Sequence, residues 1–176
     1  TYLLLYGELP TATQLEEFQT SITRHTLVHE DIKRLLEAYP SQAHPMGMLS
    51  SVISSLSTFY PASQNPNRPE GEVDMTIRRL IAKMPTIAAM VFRHSSGAPI
   101  MYPKNSLNYV ENFMYMMFGM PTEGFDVDPV VADALNKLLI LHADHEQNCS
   151  TSTVRIVGSS NANLYSSISA GVSALW

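Results

Sequence analysis

Two histidines near residue 142 are the residues of this sequence with the clearest chemical potential. His142 and His145 follow the apolar run Leu138–Leu141 and alternate with two acidic residues, Asp144 and Glu146. An imidazole ring can hydrogen-bond, exchange a proton near neutral pH or bind a metal ion. So much polarity directly after an apolar helical run is hard to explain by solubility, and it indicates a chemical task.

The residue types alone leave more than one interpretation of this pair. As core residues, the rings would be satisfied by backbone carbonyls, which is the expected case for a single histidine. A metal site is disfavoured, because His-x-x-His-Glu matches neither common zincin order and the chain has only one cysteine. We therefore predict no metal site. The polar tail that follows, Glu146–Thr153, favours a small-molecule site instead.

The histidines must be positioned by a helix that leads into them. Asp128 and Pro129 are typical of an N-cap and a first helical position. Val131, Leu135 and Leu138 then precede the two histidines in steps of 4, 3, 4 and 3. This spacing predicts a long helix on which both histidines continue the apolar stripe and face the core or a cleft.

The rest of the chain follows a helical pattern, so the predicted class is all-α. Only Tyr2–Tyr6 alternates as a strand would, and Thr13 with Glu16 has the spacing of a capping box. A helix near His29 should end before Pro40, and Pro45 should begin the next. The proline-rich stretch 61–71 should form a loop. Further helices are predicted at 72–83 and 85–94, separated by Pro85, at 106–118, and from about 162 to the end.

Composition narrows the possible functions. The 176 residues are 45% hydrophobic and only 15% charged, with a net charge of -5, so we expect no nucleic acid partner. No stretch has the roughly 20 apolar residues needed to cross a bilayer, and Thr1–Leu3 lack the basic flank of a signal peptide. The single cysteine, Cys149, fits a reducing compartment and has no evident base beside it. We predict a cytoplasmic protein in which Cys149 is a buried small residue.

The run from Leu141 to Thr153 closely resembles the oxaloacetate-binding motif of citrate synthases of the bacterial type II. Other segments resemble the same family in order: Leu4–Pro10, His44–Met46, Lys83–Ala89, Tyr102–Pro103, Glu111–Phe113, Gly158–Ser160 and Ser169–Gly171. The resemblance implies that residues 1–176 form part of the helical large domain. The small domain, both catalytic histidines and the catalytic aspartate would lie outside this sequence, so no catalytic residue is predicted within it.

The resemblance also assigns a ligand to the histidine motif. Citrate synthases join acetyl-CoA to oxaloacetate in the tricarboxylic acid cycle, and His145 stands where the family has an oxaloacetate-binding histidine. Asn148 and Ser150, expected where the helix frays, are predicted to complete this pocket. Asp144 and Glu146 are expected to orient the histidines or to satisfy helix ends, since a carboxylate facing oxaloacetate would repel it. Acetyl-CoA would be a co-substrate, and no permanently bound cofactor is expected.

An allosteric NADH site is the second implication. The residues that match its polar positions in many type II enzymes are Arg24, His25, Arg79, Lys83 and Asn105. Arginine and lysine suit a pyrophosphate, although charged residues on a solvated helix face would look the same in sequence. Two departures leave NADH sensitivity open. Thr122 replaces a reactive cysteine of some sensitive members, and Leu27 replaces a methionine.

Alternatives to a citrate synthase are a 2-methylcitrate synthase that uses propionyl-CoA, a non-catalytic helical module, and a helical metal protein built on His142 and His145.

The sequence also predicts assembly. The low charged fraction, the methionine-rich helix Phe113–Met120 and the small residues of Ser166–Leu175 favour surfaces that pack on other helices. We therefore expect a homodimer or a hexamer.

Overall fold

The computed structural model describes all residues, 1–176, and contains α-helices and one short 3-10 helix, with no β-strand. The all-α prediction is confirmed. The 3-10 helix is Pro61–Gln64, and the α-helices in chain order are α1 Tyr2–Tyr6, α2 Ala12–Arg24, α3 Asp31–Glu37, α4 Pro45–Phe59, α5 Glu70–Ser96, α6 Tyr109–Phe118, α7 Pro129–Leu141, α8 Cys149–Gly158 and α9 Leu164–Ser173. No helix is long and apolar enough to cross a membrane.

Helix α4 forms the centre of the fold and packs against α3, α5 and α9. Its buried side chains include Val52 and Ile53, which share the main hydrophobic core with Ile87 of α5 and Tyr165 of α9. Burial of such apolar side chains is the main favourable contribution to folding. The core therefore fixes α5 and α9 relative to α4, and these two helices carry or support the candidate sites.

Helix α9 packs closely because small residues line its contacts. Ser50 of α4 and Ser169 of α9 exchange hydrogen bonds, and the Ser169 hydroxyl donates to the Ser50 carbonyl at 2.7 Å. On the other side, a Cβ atom at Gly171 would stand 2.5 Å from a methyl carbon of Val154 in α8. Only glycine allows α8 and α9 to approach this closely.

The predicted break at Pro85 is wrong, because α5 runs without interruption from Glu70 to Ser96. A proline within a helix has no N–H for the carbonyl four residues earlier, here that of Ile81. The hydroxyl of Tyr109 in α6 donates to this carbonyl at 3.1 Å. A residue 28 positions away therefore supplies the hydrogen bond that the proline cannot make.

Several local predictions at the chain's N-terminal end also need correction. Tyr2–Tyr6 is a helix rather than a strand, and it ends at Gly7, whose φ of 80° is left-handed. The rings of Tyr2 and Tyr6 both pack on Phe18 of α2. This tertiary contact favours a helix over a strand, because it needs both rings on the same side of the segment. The capping box of α2 uses Thr11 and Gln14 instead of Thr13 and Glu16.

Helix α7 ends at Leu141, one residue before His142, and its start at Asp128 and Pro129 is confirmed. Only Ala132 of this helix is buried. Leu138, Ile140 and Leu141 are exposed, the last by 73%. The apolar stripe predicted to face the core is therefore mostly uncovered within this chain.

Candidate functional site

The histidine motif forms the turn between α7 and α8. His142 caps the end of α7, and its ring Nδ1 donates to the Leu138 carbonyl at 2.7 Å. The ring of His145 lies 5.4 Å from that of His142 and forms no hydrogen bond within the chain. Both histidines are exposed. The prediction that both histidines continue the helical stripe toward the core or a cleft is wrong in its helical part, because α7 ends at Leu141, and neither ring is in the core.

Asn148 begins a helix that the sequence pattern did not reveal. Its side-chain oxygen accepts hydrogen bonds from the Thr151 amide at 3.0 Å and from the Ser150 hydroxyl at 2.7 Å. Asn148 is thus the N-cap of α8 and does not lie in a fraying helix end. With the side-chain oxygen engaged, its amide nitrogen is the part that can donate to a ligand.

The start of α8 has the electrostatic character that a carboxylate needs. The first amides of a helix have no partner within it, and the aligned peptide dipoles make that end partially positive. In α8 these amides belong to Cys149 and Ser150. Together with the ring of His145 and the amide of Asn148, they form a set of donors in one short segment. The Ser150 hydroxyl, which donates to Asn148, orients this set.

Of the two acidic residues of the motif, Asp144 uses its carboxylate within the turn, and Glu146 contributes its backbone. The Asp144 side chain accepts the Glu146 amide at 3.0 Å, and Glu146 adopts a left-handed φ of 57°. Neither carboxylate hydrogen-bonds a histidine, contrary to one of the two predicted tasks. No group of three or more His, Cys, Asp or Glu side chains is arranged to hold a metal ion. Cys149 is exposed, which corrects the prediction that it is buried.

A second cluster of predicted residues surrounds Tyr60, at the end of α4. The guanidinium of Arg79 lies 4.8 Å from the centre of the Tyr60 ring, and the Lys83 ammonium lies 5.8 Å from it. Lys83 is only 3% exposed and donates to the His25 carbonyl at 2.8 Å and also to the Leu27 carbonyl. The structure thus brings Arg79, Lys83 and the segment of His25 together.

The two remaining predicted residues are less closely tied to this cluster. Arg24 is the exposed last residue of α2, directly before His25, and forms no ion pair. Asn105 is exposed in the loop between α5 and α6 and makes no hydrogen bond to the other four residues. His25 itself is oriented, because its ring Nδ1 donates to the Ser21 carbonyl at 2.7 Å.

Positive charge in this cluster is only weakly compensated. Arg79 has one carboxylate partner, Glu72, at 4.0 Å, and Lys83 has none. Burial, with a smaller contribution from the neighbouring positive charge of Arg79, lowers the pKa of Lys83 to about 8. A buried cation that faces another cation is costly, and an anion between them would relieve that cost.

Two aromatic residues of this cluster could not be identified from the sequence. The ring of Tyr165 in α9 stacks on that of Tyr60 at 5.8 Å, and the buried Tyr165 hydroxyl has no hydrogen-bond partner. Burial raises the pKa of both tyrosines. Nothing local marks either residue, because the contact joins positions 105 residues apart. Tyr165 is fully buried and supports the partly exposed Tyr60 ring, which is the aromatic surface next to the cationic group.

A groove with a volume of about 860 Å³ lies elsewhere, between α2, α6 and α7. Its polar lining includes Glu111 and Asp133 and none of the predicted site residues. Two carboxylates with no basic side chain among the lining residues disfavour an anionic ligand. A smaller groove of about 360 Å³ between α8 and α9 begins at Ser150 and is otherwise mainly apolar, with Arg155 at its edge.

The helical fold and the motif at the start of α8 define an all-α protein with a set of hydrogen-bond donors at one helix N-terminus. Comparison with solved structures agrees with this fold. A citrate synthase from Pyrobaculum aerophilum superimposes with a TM-score of 0.88 at 33% identity over 99% of this chain and 44% of that one. The complex of carboxymethyl coenzyme A and oxaloacetate with citrate synthase from Thermoplasma acidophilum gives a TM-score of 0.86 at 25% identity, over 99% and 44%.

Sequence comparison identifies the family. The family model for the citrate synthase C-terminal domain matches residues 1–176. Citrate synthase 1 of Mycobacterium tuberculosis is 55% identical over 99% of this chain, and a citrate synthase of Corynebacterium glutamicum is 53% identical over the same share. The chain belongs to the citrate synthase family, as its motif predicted. It spans about 40% of the length of these relatives.

Proposed function

We propose that the parent protein is a citrate synthase that condenses acetyl-CoA with oxaloacetate to give citrate and CoA. Residues 1–176 would form part of its large helical domain, with the small domain and the catalytic groups elsewhere in the parent. A relative of the same fold binds oxaloacetate and a coenzyme A derivative. On this proposal, acetyl-CoA is a co-substrate and the enzyme acts in the tricarboxylic acid cycle in the cytoplasm.

The observation that carries the proposal is the donor set at the start of α8. Oxaloacetate has two carboxylates and a ketone, so its site must supply hydrogen-bond donors and partial positive charge. His145, the Asn148 amide and the free amides of Cys149 and Ser150 provide these from one segment. His142 is engaged with the Leu138 carbonyl and therefore supports the turn instead of the ligand.

The activity can be tested on the full-length parent and on the 176-residue chain in parallel. We expect the parent to release CoA from acetyl-CoA only when oxaloacetate is present, and the isolated chain to show no turnover, because the family's catalytic residues lie outside it. Faster turnover of propionyl-CoA by the parent would favour a 2-methylcitrate synthase. A parent that condenses neither substrate would contradict the proposal, as would turnover by the isolated chain above contaminant level.

We also propose that NADH regulates the parent through the cluster around Tyr60. The supporting observation is the group of Arg79 and Lys83, whose positive charge is poorly compensated next to aromatic rings. A dinucleotide carries a pyrophosphate for the cations and flat rings for stacking. His25 and the exposed Arg24 stand at the side of this group, and Asn105 would need to approach from the α5–α6 loop. Titration of the parent with NADH, followed by fluorescence and by inhibition of turnover, tests the assignment.

A homo-oligomer, either a dimer or a hexamer, is proposed as the working form. The predicted surface on α9 does not support it, since Ser169 and Gly171 pack on α4 and α8 within this chain. The exposed apolar residues of α7 support it instead, because a row of uncovered leucine and isoleucine side chains favours a contact with another helix.

A further inference from the structure

The loop between α2 and α3 is held by side chains of α5 through three successive backbone carbonyls. Lys83 donates to the carbonyls of His25 and Leu27, and the Thr86 hydroxyl donates to that of Thr26 at 2.8 Å. These residues are close to 60 positions apart in sequence, so the bonds join two separate parts of the fold. Three consecutive carbonyls bound in this way fix the course of residues 25–28.

The ammonium group of Lys83 is directed at the loop carbonyls rather than at solvent. Its side chain is almost fully buried, and two of its three N–H donors point to the loop carbonyls. The side chains that influence its charge are Arg79, on its own helix, and the Tyr60 ring at the end of α4, while His25 offers only its backbone carbonyl. Arg79, in contrast, is partly exposed, and its guanidinium lies over the Tyr60 ring.

Thr86 also binds a carbonyl of the loop, and its burial keeps it out of reach of a ligand. It is only 2% exposed, one helical turn beyond Lys83, and its one side-chain hydrogen bond goes to the Thr26 carbonyl. Thr26 is itself buried, and its hydroxyl donates to the Thr23 carbonyl in the last turn of α2 at 3.0 Å. Loss of the Thr86 hydroxyl would therefore loosen the loop without removing any group that a nucleotide could contact.

We propose that Lys83 and Thr86 are positioning residues that clamp residues 25–28 to α5 and so set the places of Arg24 and His25 for nucleotide binding. Arg79 is then the residue that pairs directly with the anion. This inference rests on the proposed NADH regulation of the same cluster. On this inference, part of the affinity for NADH depends on the hydrogen bond from Thr86 to the Thr26 carbonyl, although Thr86 itself does not contact the nucleotide.

The test uses the full-length parent with Thr86→Val, Thr86→Ser as its matched control, Lys83→Met and Arg79→Met. Circular dichroism confirms folding, and hydrogen exchange of the peptide containing residues 25–28 is measured without nucleotide. We expect faster exchange in Thr86→Val and Lys83→Met, and wild-type exchange in Thr86→Ser and Arg79→Met. If Lys83→Met fails to fold, the comparison of Thr86→Val with Thr86→Ser tests the clamp by itself. Valine has the shape of threonine, so Thr86→Val is expected to fold.

The second readout is the dissociation constant for NADH at several salt concentrations. Loss of one neutral hydrogen bond corresponds to about a two- to tenfold weakening, which we expect for Thr86→Val with an unchanged salt dependence and an unchanged KM for oxaloacetate. Arg79→Met should weaken binding and flatten the salt dependence, because it removes a charge that faces the anion. Thr86→Ser should restore wild-type affinity.

Two outcomes would overturn the inference. In the first, Thr86→Val shows wild-type exchange and wild-type affinity for NADH, and Lys83→Met flattens the salt dependence as Arg79→Met does. Lys83 would then be a direct ligand of the nucleotide. A wild-type parent that binds no NADH would reject the proposed regulation, and with it the role of the clamp toward a nucleotide. The exchange measurement would still decide whether the clamp itself exists.

Discussion

At the scale of single residues, the two histidines of the motif have different surroundings although they look equivalent in sequence. The ring of His142 is bound to the carbonyl of Leu138, whereas His145 has no partner within the chain. A donor already engaged in the protein contributes little to a ligand. An exposed ring without a partner, three residues before the start of a helix, is available to one.

We therefore predict that His145→Ala in the full-length parent weakens the handling of oxaloacetate much more than His142→Ala. A lost hydrogen bond to a charged ligand costs about 1.5–3 kcal/mol, or roughly ten- to a hundredfold in kcat/KM. Steady-state kinetics with oxaloacetate varied at saturating acetyl-CoA measures the difference. Equal losses in two well-folded variants would show that the ligand histidine has been assigned wrongly.

Lys83 gives a second residue-scale prediction, which concerns stability and pH. Its pKa of about 8 in the folded state lies below its ordinary value of 10.5, so between these pH values the unfolded chain binds more protons. The free energy of unfolding should therefore rise with pH across this window, by about 3 kcal/mol at most for a group so fully buried.

Urea unfolding of the full-length parent at pH 8, 9 and 10 tests this sign, with Lys83→Met as the control. The tyrosines with raised pKa values, such as Tyr109 at about 12, affect stability mainly above this window and are common to both proteins. The wild-type free energy of unfolding should increase relative to the variant as pH rises. A difference that stays constant or shrinks would mean that Lys83 remains charged throughout.

At the scale of elements, the sequence predicts helices well wherever the local signals are complete. Asp128 with Pro129 and the proline at position 45 mark the starts of α7 and α4 correctly. The sequence pattern does not reveal α8, because its start signal, Asn148, lies within a polar run that the pattern assigns to the end of the preceding helix. The break predicted at Pro85 failed for a tertiary reason, since Tyr109 replaces the missing bond.

The candidate sites show the same division between local and distant information. The donor set around His145 and Asn148 lies in one short segment, so its residues could be identified from the sequence. The aromatic pair of Tyr60 and Tyr165 could not, because only the packing of α9 on α4 brings the two rings together. The hydrogen bond from Thr86 to the Thr26 carbonyl is equally invisible in the sequence, because it joins positions 60 residues apart.

The hydrogen bond from the Tyr109 hydroxyl to the Ile81 carbonyl, which replaces the one that Pro85 cannot make, leads to a prediction at this scale. Tyr109→Phe should lower the free energy of unfolding of the parent by about 1 kcal/mol, because the carbonyl of Ile81 then loses its donor. In a Pro85→Ala background, the new alanine N–H can serve that carbonyl, so the same change should cost much less. Chemical unfolding of the four proteins gives the coupling energy.

Tyr102→Phe is the matched control for this cycle, since its exposed hydroxyl donates to Glu30 at the surface. Exposed pairs of this kind contribute little, and we expect a change within about 0.5 kcal/mol. Equal costs of Tyr109→Phe with and without Pro85 would show that the hydroxyl does not compensate for the proline.

At the scale of the whole molecule, the distribution of apolar surface predicts assembly. Val130, Leu138, Ile140 and Leu141 are exposed along α7, and the helix buries only Ala132 within the chain. Leaving so much apolar surface in water is unfavourable, at about 25 cal/mol for each Å². A second copy, or the rest of the parent subunit, must cover it, and the two cases respond differently to a charge placed on this face.

We predict that the full-length parent is at least a homodimer, with a hexamer expected, and that α7 lies in the contact between copies. Light scattering at low micromolar concentration should give a multiple of the monomer mass, and Ile140→Asp should lower that mass while the helical circular dichroism is kept. Leu9→Asp, at an exposed position in the loop before α2, is the control and should leave the mass unchanged. If Ile140→Asp unfolds the protein instead, α7 is covered within one subunit. A wild-type species at monomer mass that does not change on tenfold concentration would contradict assembly altogether.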